Sequence, residues 1–153
     1  SAPAWSLNIL VGNDDSCNSE GINALADALE SAGHTVTVYA PAGEQSGKSS
    51  SISTEVFQDY DISNTGFEGP TPQGNRYCVR VPTPDPEEGS EDLLVASASP
   101  RDSVLVGLAA MGEMKPDLVV TGTNDGGNIG YFAIASGTVG GALAAARTSP
   151  RRC

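Results

Sequence analysis

Apolar and polar positions near the start of the chain follow the order of a strand, a helix and a second strand. The apolar run at 7–11 is short and predicts a buried strand. A helix is predicted next, capped by Ser19 and ended by Gly33. Residues 35–40 predict a second strand, and these segments together indicate a βαβ unit with parallel strands. The apolar stripe of the helix has a spacing of i, i+3, i+4 and i+7: Ile22, Leu25, Ala26 and Leu29.

The same alternation continues in the rest of the chain. Residues 97–104 open a helix with Pro100 in its first turn, where the fixed backbone angle of proline suits a helix start. Residues 115–121 predict another buried strand, and a last helix begins near 136–138. The intervening residues 54–92 are rich in proline and predict a β-hairpin followed by an acidic loop.

These elements predict one α/β domain over residues 1–153. We expect a Rossmann-like, doubly wound, mostly parallel sheet with helices on both faces and a β-hairpin excursion at about 54–92. A length of 153 residues suits a single domain with its own core.

Charge and hydropathy restrict the class of partner. The net charge is −11, which argues against a nucleic-acid polymer because no basic stripe is present to neutralise phosphates. No apolar run approaches the length of a membrane span, so we expect no membrane partner. A small phosphorylated ligand is compatible with this charge, since a local cation can override the overall field.

The three cysteines leave two interpretations open. No CxxC pair exists, which argues against a zinc ribbon. Either Cys17 and Cys78 form a disulfide and leave Cys153 free, or the thiols are reduced; the sequence favours neither. Residues 1–4 are compatible with a cleaved signal peptide and equally with an arbitrary start.

Two adjacent acids, Asp14 and Asp15, directly follow the first predicted strand. Paired carboxylates are costly unless a cation or a proton neutralises them, so they indicate a metal site; a loop acid beside a helix cap is the equally weighted alternative. Three polar loops, at 12–16, 43–49 and 122–130, follow three candidate strands. Because ligands bind at the carboxyl ends of such strands, we expect these loops to converge.

Two common phosphate motifs are excluded. The triplet Gly47-Lys48-Ser49 lacks the glycine that a P-loop requires at position 42, where Ala42 stands. No G-x-G-x-x-G follows the first strand, so a dinucleotide-binding domain is a weak alternative.

Five segments, in order, resemble the SurE family of survival-protein nucleotidases and acid phosphatases. The resemblance extends over most of the chain, from about residue 7 to 147. The segments are 9–15, 40–41 with 45–47, 99–104, 116–124 with 127–130, and 136–140.

The resemblance implies a divalent-metal site and an adjoining phosphate site. Its metal ligands are Asp14, Asp15, Ser46 and Asn124, with Mg²⁺ or Mn²⁺ expected and Ca²⁺ as a further candidate. One of the two acids is implied as base or nucleophile, without an assignment between them. Asn13 is expected to support the acid pair. The residues implied to hold the substrate phosphate are Asn128, Ser136, Gly137 and Thr138.

The implied activity is that of a metal-dependent phosphatase, which hydrolyses nucleoside monophosphates or related small phosphomonoesters. A shortened, non-catalytic member that binds phosphate, nucleotide or a protein is the alternative. The segments at 14–16 and 45–48 resemble the secreted fungal and periplasmic branch, so we expect a secreted or periplasmic protein; the cytoplasm is the alternative.

The chain departs from the family pattern at several positions. Ser16 stands where a glycine is usual, and Thr123 stands where isoleucine is usual. Family members also continue past the helix at 137–147, so we expect the C-terminal part of the family fold to be absent. An exposed apolar sheet edge would follow, and we therefore expect a homo-oligomer.

Overall fold

The computed structural model describes residues 5–46, 61–63, 74–81, 97–126 and 135–148. Within these ranges the chain forms five strands and three helices. The strands are β1 (Asn8–Gly12), β2 (Thr35–Pro41), β3 (Asp61–Ser63), β4 (Arg76–Arg80) and β5 (Leu118–Thr121). The helices are α1 (Glu20–Ser31), α2 (Pro100–Ala110) and α3 (Gly137–Thr148).

The strands form one sheet in the order β3-β4-β2-β1-β5. β1 pairs in parallel with both β2 and β5, and β2 pairs in parallel with β4. Only β3 of the described strands is antiparallel, to β4. The predicted α/β fold with a mostly parallel sheet is confirmed, and β1 lies inside the sheet, between β2 and β5.

Apolar side chains cover both faces of the sheet. On one face, Ile9 and Val11 of β1 pack with Ile22 and Ala26 of α1. On the other face, a second cluster contains residues of the sheet, α2 and α3: Leu10, Tyr39, Val104 and Ala145. Alternate residues of β1 therefore enter opposite cores, as expected of a strand covered on both sides.

The helix ends agree only partly with the predictions. Gly33 follows α1 with a φ of 94°, a conformation that favours glycine, so its predicted role is confirmed. Ser19 occupies the position before α1, but its side chain makes no cap hydrogen bond. The predicted N-cap position is thus confirmed without the cap bond, and the hydroxyl accepts a hydrogen bond from Nδ2 of Asn13, 2.8 Å away. α2 begins at Pro100, and the hydroxyl of Ser99 caps it by accepting from the N–H of Asp102.

Two strands differ in surroundings from the sequence prediction. β4 belongs to the predicted hairpin, but it also pairs with β2, so this hairpin extends the main sheet. β5 was expected to be buried, yet Leu118 is 45% exposed. The reason is that β5 is the last strand on its side of the described sheet and is paired with β1 alone. The predicted acidic loop lies outside the described residues.

One disulfide and two ion pairs join β4 to the α1 side of the fold. Cys17 and Cys78 form a disulfide with a Cα–Cα distance of 5.4 Å, which decides between the two interpretations left open by the sequence. The buried guanidinium of Arg76 forms ion pairs with Asp27 and Glu30 of α1. None of the described helices is long and apolar enough to cross a membrane.

Candidate functional site

Asp14 and Asp15 follow the end of β1 and differ in burial. Asp14 is 2% exposed, and its Oδ1 accepts a hydrogen bond from the hydroxyl of Thr138 at 2.7 Å. Asp15 is partly exposed, and its Oδ2 accepts from the backbone N–H of Asp125 at 3.0 Å. One acid is thus held against the start of α3, and the other against the loop after β5.

A cavity of about 710 Å³ lies over the carboxyl ends of the strands. Residues of the three polar loops line it, together with residues at the start of α1. The predicted convergence of these loops is therefore confirmed. Of the four candidate metal ligands, Asp15, Ser46 and Asn124 line this cavity, and Asp14 does not. The other lining residues are Ser19, Glu20, Gly21, Glu44, Thr123 and Asp125.

Thr138 connects Asp14 to Asn124. Its hydroxyl oxygen is 2.7 Å from Oδ1 of Asp14 and 3.3 Å from Oδ1 of Asn124. A hydroxyl has one hydrogen to donate, and the shorter contact to a carboxylate is the stronger one. The amide of Asn124 is fixed by a second contact, because its Nδ2 donates to the carbonyl of Gly126. Thr138 therefore holds Asp14 by a hydrogen bond and lies beside Asn124, which belongs to a separate loop.

The start of α3 is packed closely against the acid pair. A Cβ atom on Gly137 would lie 2.6 Å from Cβ of Asp14 and 2.7 Å from Cγ of Pro100, so only glycine fits there. Ser136 is buried, and its hydroxyl accepts from the N–H of Val139 in the manner of a helix cap. These residues therefore bring the N-terminus of α3 to Asp14. Asn128, the remaining predicted phosphate residue, lies outside the described residues.

Ser46 is an exposed residue of the loop that follows β2. Its backbone N–H donates to Oε1 of Glu44 at 2.8 Å. Hydrogen bonds from the hydroxyl and the N–H of Ser46 lower the pKa of Glu44 below its ordinary value of 4.5. Since the hydroxyl donates its hydrogen to a carboxylate, its oxygen lone pairs are left to accept or to bind a cation.

Asn13 is almost completely buried beside the acid pair. Its Nδ2 donates to the carbonyl of Ser16 at 2.9 Å and to the hydroxyl of Ser19. These bonds close the turn between β1 and α1, which carries the acid pair. Its Oδ1 is buried and has no hydrogen-bond partner in the part of the chain that the structure describes.

The cavity carries an excess of negative charge. Burial raises the pKa of Asp15 above its ordinary 3.8, as do the neighbouring carboxylates of Asp14, Asp125 and Glu44, against the lowering effect of the Asp125 N–H. The described lining includes four acids and neither lysine nor arginine. A cation in the cavity would offset this charge.

Three acids of the cavity were missed by sequence reasoning. Glu44 and Asp125 lie in loops that were predicted to converge, and Glu20 follows the predicted helix cap, so position alone could have found them. Within the described residues, no group of three or more His, Cys, Asp and Glu side chains is arranged to hold a metal. A metal site here would therefore need the hydroxyl and amide oxygens as well as the carboxylates.

Comparison with known proteins gives a consistent result. A family model described as "Survival protein SurE" matches residues 9–150. The 5′-nucleotidase SurE of Halobacterium salinarum is 40% identical over 140 residues, which are 90% of this chain and 42% of that protein. The 5′-nucleotidase SurE of Lawsonia intracellularis is 33% identical and is covered over 45% of its length.

A solved structure is similar as well. The SurE protein from Aquifex aeolicus matches with a TM-score of 0.66 and 32% identity, over 90% of this chain and 45% of that one. The chain thus spans less than half the length of these relatives.

Proposed function

Because this chain belongs to the SurE family, we propose that it is a divalent-metal-dependent phosphomonoesterase that hydrolyses nucleoside monophosphates. The observation that carries the proposal is the arrangement of Asp14, Asp15 and Asn124 at the carboxyl ends of β1 and β5. The Thr138 hydroxyl donates to Asp14 and lies beside Asn124, and the N–H of Asp125 donates to Asp15. The names of the relatives, 5′-nucleotidase, support the reaction class.

The side chains around the cavity fit a hard divalent cation. Mg²⁺, Mn²⁺ and Ca²⁺ prefer oxygen ligands, and the candidate set is all oxygen: two carboxylates, a hydroxyl and an amide. The raised pKa of Asp15 and the acidic lining favour positive charge in the cavity. The residues that would hold the cation are Asp14, Asp15, Ser46 and Asn124. When bound, it would polarise the phosphoryl group and stabilise the charge that develops on it.

The two acids have different roles in this proposal. Asp14 is buried and fixed by Thr138, so it acts as an anchored ligand. Asp15 faces the cavity, where its carboxylate can contact a nucleophilic water and accept its proton. This division follows from their different exposure and was not available from the sequence.

The start of α3 supplies the seat for the substrate phosphate. Backbone N–H groups at a helix N-terminus bind anions, and the helix dipole adds to the attraction. Gly137 and Thr138 are the first residues of α3, with the buried Ser136 directly before them. We assign the phosphate to this turn and retain Asn128 as a fourth contact.

The test is phosphate release from AMP and p-nitrophenyl phosphate with and without Mg²⁺ or Mn²⁺. Metal-dependent release is expected, and Asp15→Asn should lower kcat/KM by about a hundredfold or more, as for loss of a general base. Asp117→Asn is the matched control, because Asp117 accepts from the N–H of Asn8 at the opposite end of β1.

The same experiment distinguishes the non-catalytic alternative. Calorimetry that detects metal and nucleotide binding, without phosphate release under any metal, would favour a binding protein over an enzyme. Equal activity of the wild type and Asp15→Asn would contradict the proposed site.

We further propose a secreted or periplasmic location. The Cys17–Cys78 disulfide supports it, since disulfides persist in oxidising compartments and are rare in the cytosol. Fractionation of the source cells with immunodetection tests it; recovery of the protein in the cytosolic fraction would contradict it.

We also propose that the protein is a homo-oligomer. The exposed Leu118 on β5, the last strand on its side of the sheet within the described residues, supports this, because an apolar edge strand is open to pairing with another chain. Light scattering during size-exclusion chromatography gives the mass directly, and a stable monomer would contradict the proposal.

A further inference from the structure

Both acids lie in a short turn that is fixed at several points. Residues 13–19, here named the acid loop, connect β1 to α1 and contain Asp14 and Asp15. Two residues after Asp15, the loop reaches Cys17, which is fully buried in the core beneath α1. Any constraint on Cys17 is therefore transmitted through only one residue to the second acid.

Cys17 is attached to two neighbouring strands. Its N–H donates to the carbonyl of Pro41, at the end of β2, at 2.7 Å. Its sulfur is bonded to Cys78 of β4, which is paired with Ala40 of β2. The acid loop is thus joined by a hydrogen bond to one strand and by a covalent bond to the next.

The acid loop has further contacts, which are hydrogen bonds and the packing of Asp14 against the start of α3. The N–H of Gln45 donates to the carbonyl of Asp14, and Asn13 donates to the carbonyl of Ser16. Ser16, between Asp15 and Cys17, has a φ of 111°, a conformation that residues other than glycine rarely adopt. Such a conformation persists only where the surrounding structure enforces it.

From these contacts we propose that the Cys17–Cys78 disulfide is a positioning element of the cation site. It holds the acid loop in the geometry that binds a divalent cation, and opening it weakens cation binding while the sheet stays folded. The inference rests on the proposed metal site. It assigns to these two cysteines a role in the site itself, beyond general stabilisation.

The test compares the wild type with the double variant Cys17→Ala/Cys78→Ala. Mn²⁺ affinity, measured from the electron paramagnetic resonance signal of free Mn²⁺, should weaken about tenfold, the size of effect seen when groups supporting metal ligands are lost. Amide hydrogen exchange of residues 13–19 should become faster in the variant through local opening, whereas exchange in β1 and β2 should change only as far as the loss of global stability requires.

Reduction of the wild type gives an independent measurement. Excess dithiothreitol supplies two electrons and two protons, which convert the disulfide to two thiols as the reagent becomes a cyclic disulfide. The reduced protein should show the same weakened Mn²⁺ affinity as the double variant, whereas the variant should not respond to the reagent. Cys153→Ser is the matched control, and it should keep both the tight affinity and the response to reduction.

Each other outcome overturns a defined part of the proposal. An unchanged Mn²⁺ affinity after the disulfide is opened would show that it does not position the site. Loss of affinity together with loss of the circular dichroism of the sheet would show that it holds the fold as a whole. If the oxidised wild type binds no Mn²⁺ while exchange in the acid loop still responds, the proposed metal site fails and the positioning of the loop remains.

Discussion

The hydroxyl of Thr138 contacts two candidate ligands that belong to different loops. It donates to Asp14 after β1 and lies 3.3 Å from Oδ1 of Asn124 after β5. The family resemblance implied a contact of Thr138 with substrate phosphate. The observed geometry adds a role in fixing Asp14, since a hydrogen donated to Asp14 is not available to a phosphate oxygen at the same time.

Replacement of this hydroxyl should therefore weaken metal binding. Thr138→Val keeps the shape of the side chain and removes the donor, so we expect the Kd for Mn²⁺ to rise about tenfold in the absence of substrate. Thr138→Ser is the matched control and should restore most of the affinity. A higher KM for AMP with an unchanged Kd for Mn²⁺ would instead assign the hydroxyl to the phosphate alone.

Asp15 should make the metal-free protein less stable at neutral pH. Its pKa is raised above 3.8, mainly by burial, so the folded state holds the proton more tightly than the unfolded state does. The loss of folding stability caused by the charged carboxylate is thus absent below about pH 3.8, and it grows as the pH rises through the raised pKa of the folded state.

Calorimetry of Asp15→Asn tests this cost. The Tm of the metal-free variant should exceed that of the wild type at about pH 7, and the two should agree at about pH 3. Added Mg²⁺ should raise the Tm of the wild type more than that of the variant. An equal Tm at both pH values would contradict the burial argument.

The position of β1 in the sheet determines where the acid pair lies. Because β1 lies between β2 and β5, it brings the acid pair next to the loops that follow both neighbours. α3 then reaches Asp14 because Gly137 permits a contact that no Cβ could make. The apolar stripe of α1 and the proline at the start of α2 predicted those helices well, because both signals depend on residues close in sequence.

A side chain at the start of α3 should disturb the site. Gly137→Ala places a Cβ 2.6 Å from Asp14, and overpacking of this kind costs about 1–3 kcal/mol of unfolding free energy. We expect a lower Tm and weaker metal binding, because Asp14 must move. Gly141→Ala on the same helix is the control: its nearest contacts are 3.2 Å or longer, so a smaller loss is expected. Equal effects of the two substitutions would contradict the close contact with Asp14.

At the scale of the whole molecule, a net charge of −11 surrounds a site that is proposed to bind an anionic substrate. Four of the chain's acids line the described cavity, so the proposed cation and the helix terminus must supply the local attraction. The Cys17–Cys78 disulfide and the ion pairs of Arg76 with α1 connect β4 to the layer that carries the acid loop.

Opening the disulfide should also lower global stability. A cross-link between residues 61 positions apart restricts the unfolded chain and contributes about 4 kcal/mol in the chain-entropy model. For a chain of this size, about 2–4 °C of Tm corresponds to each kcal/mol, so reduction should lower the Tm by about 10 °C. Scanning calorimetry with and without dithiothreitol measures it, and an unchanged Tm would contradict the estimate.

The sequence by itself determined the elements and the general location of the site. Hydrophobic periodicity is a local property, so it predicted β1, α1 and β2, and placed Asp14 and Asp15 at the end of a strand. Neighbouring parallel strands end on the same edge, which is why the loops carrying Ser46 and Asn124 were expected to converge there.

The tertiary structure alone decided the pairings between distant residues. Thr138 bonds to Asp14 across 124 positions, and Cys17 pairs with Cys78 across 61. Periodicity carries no information about such partners, because they depend on how the layers pack. The exposure of Leu118 on β5 and the hydrogen bond from Asn13 to the Ser19 hydroxyl were not predicted, because they too depend on packing. The local hydrophobic pattern predicted that the two acids follow a strand, and the packing of distant elements determined which residues bind them.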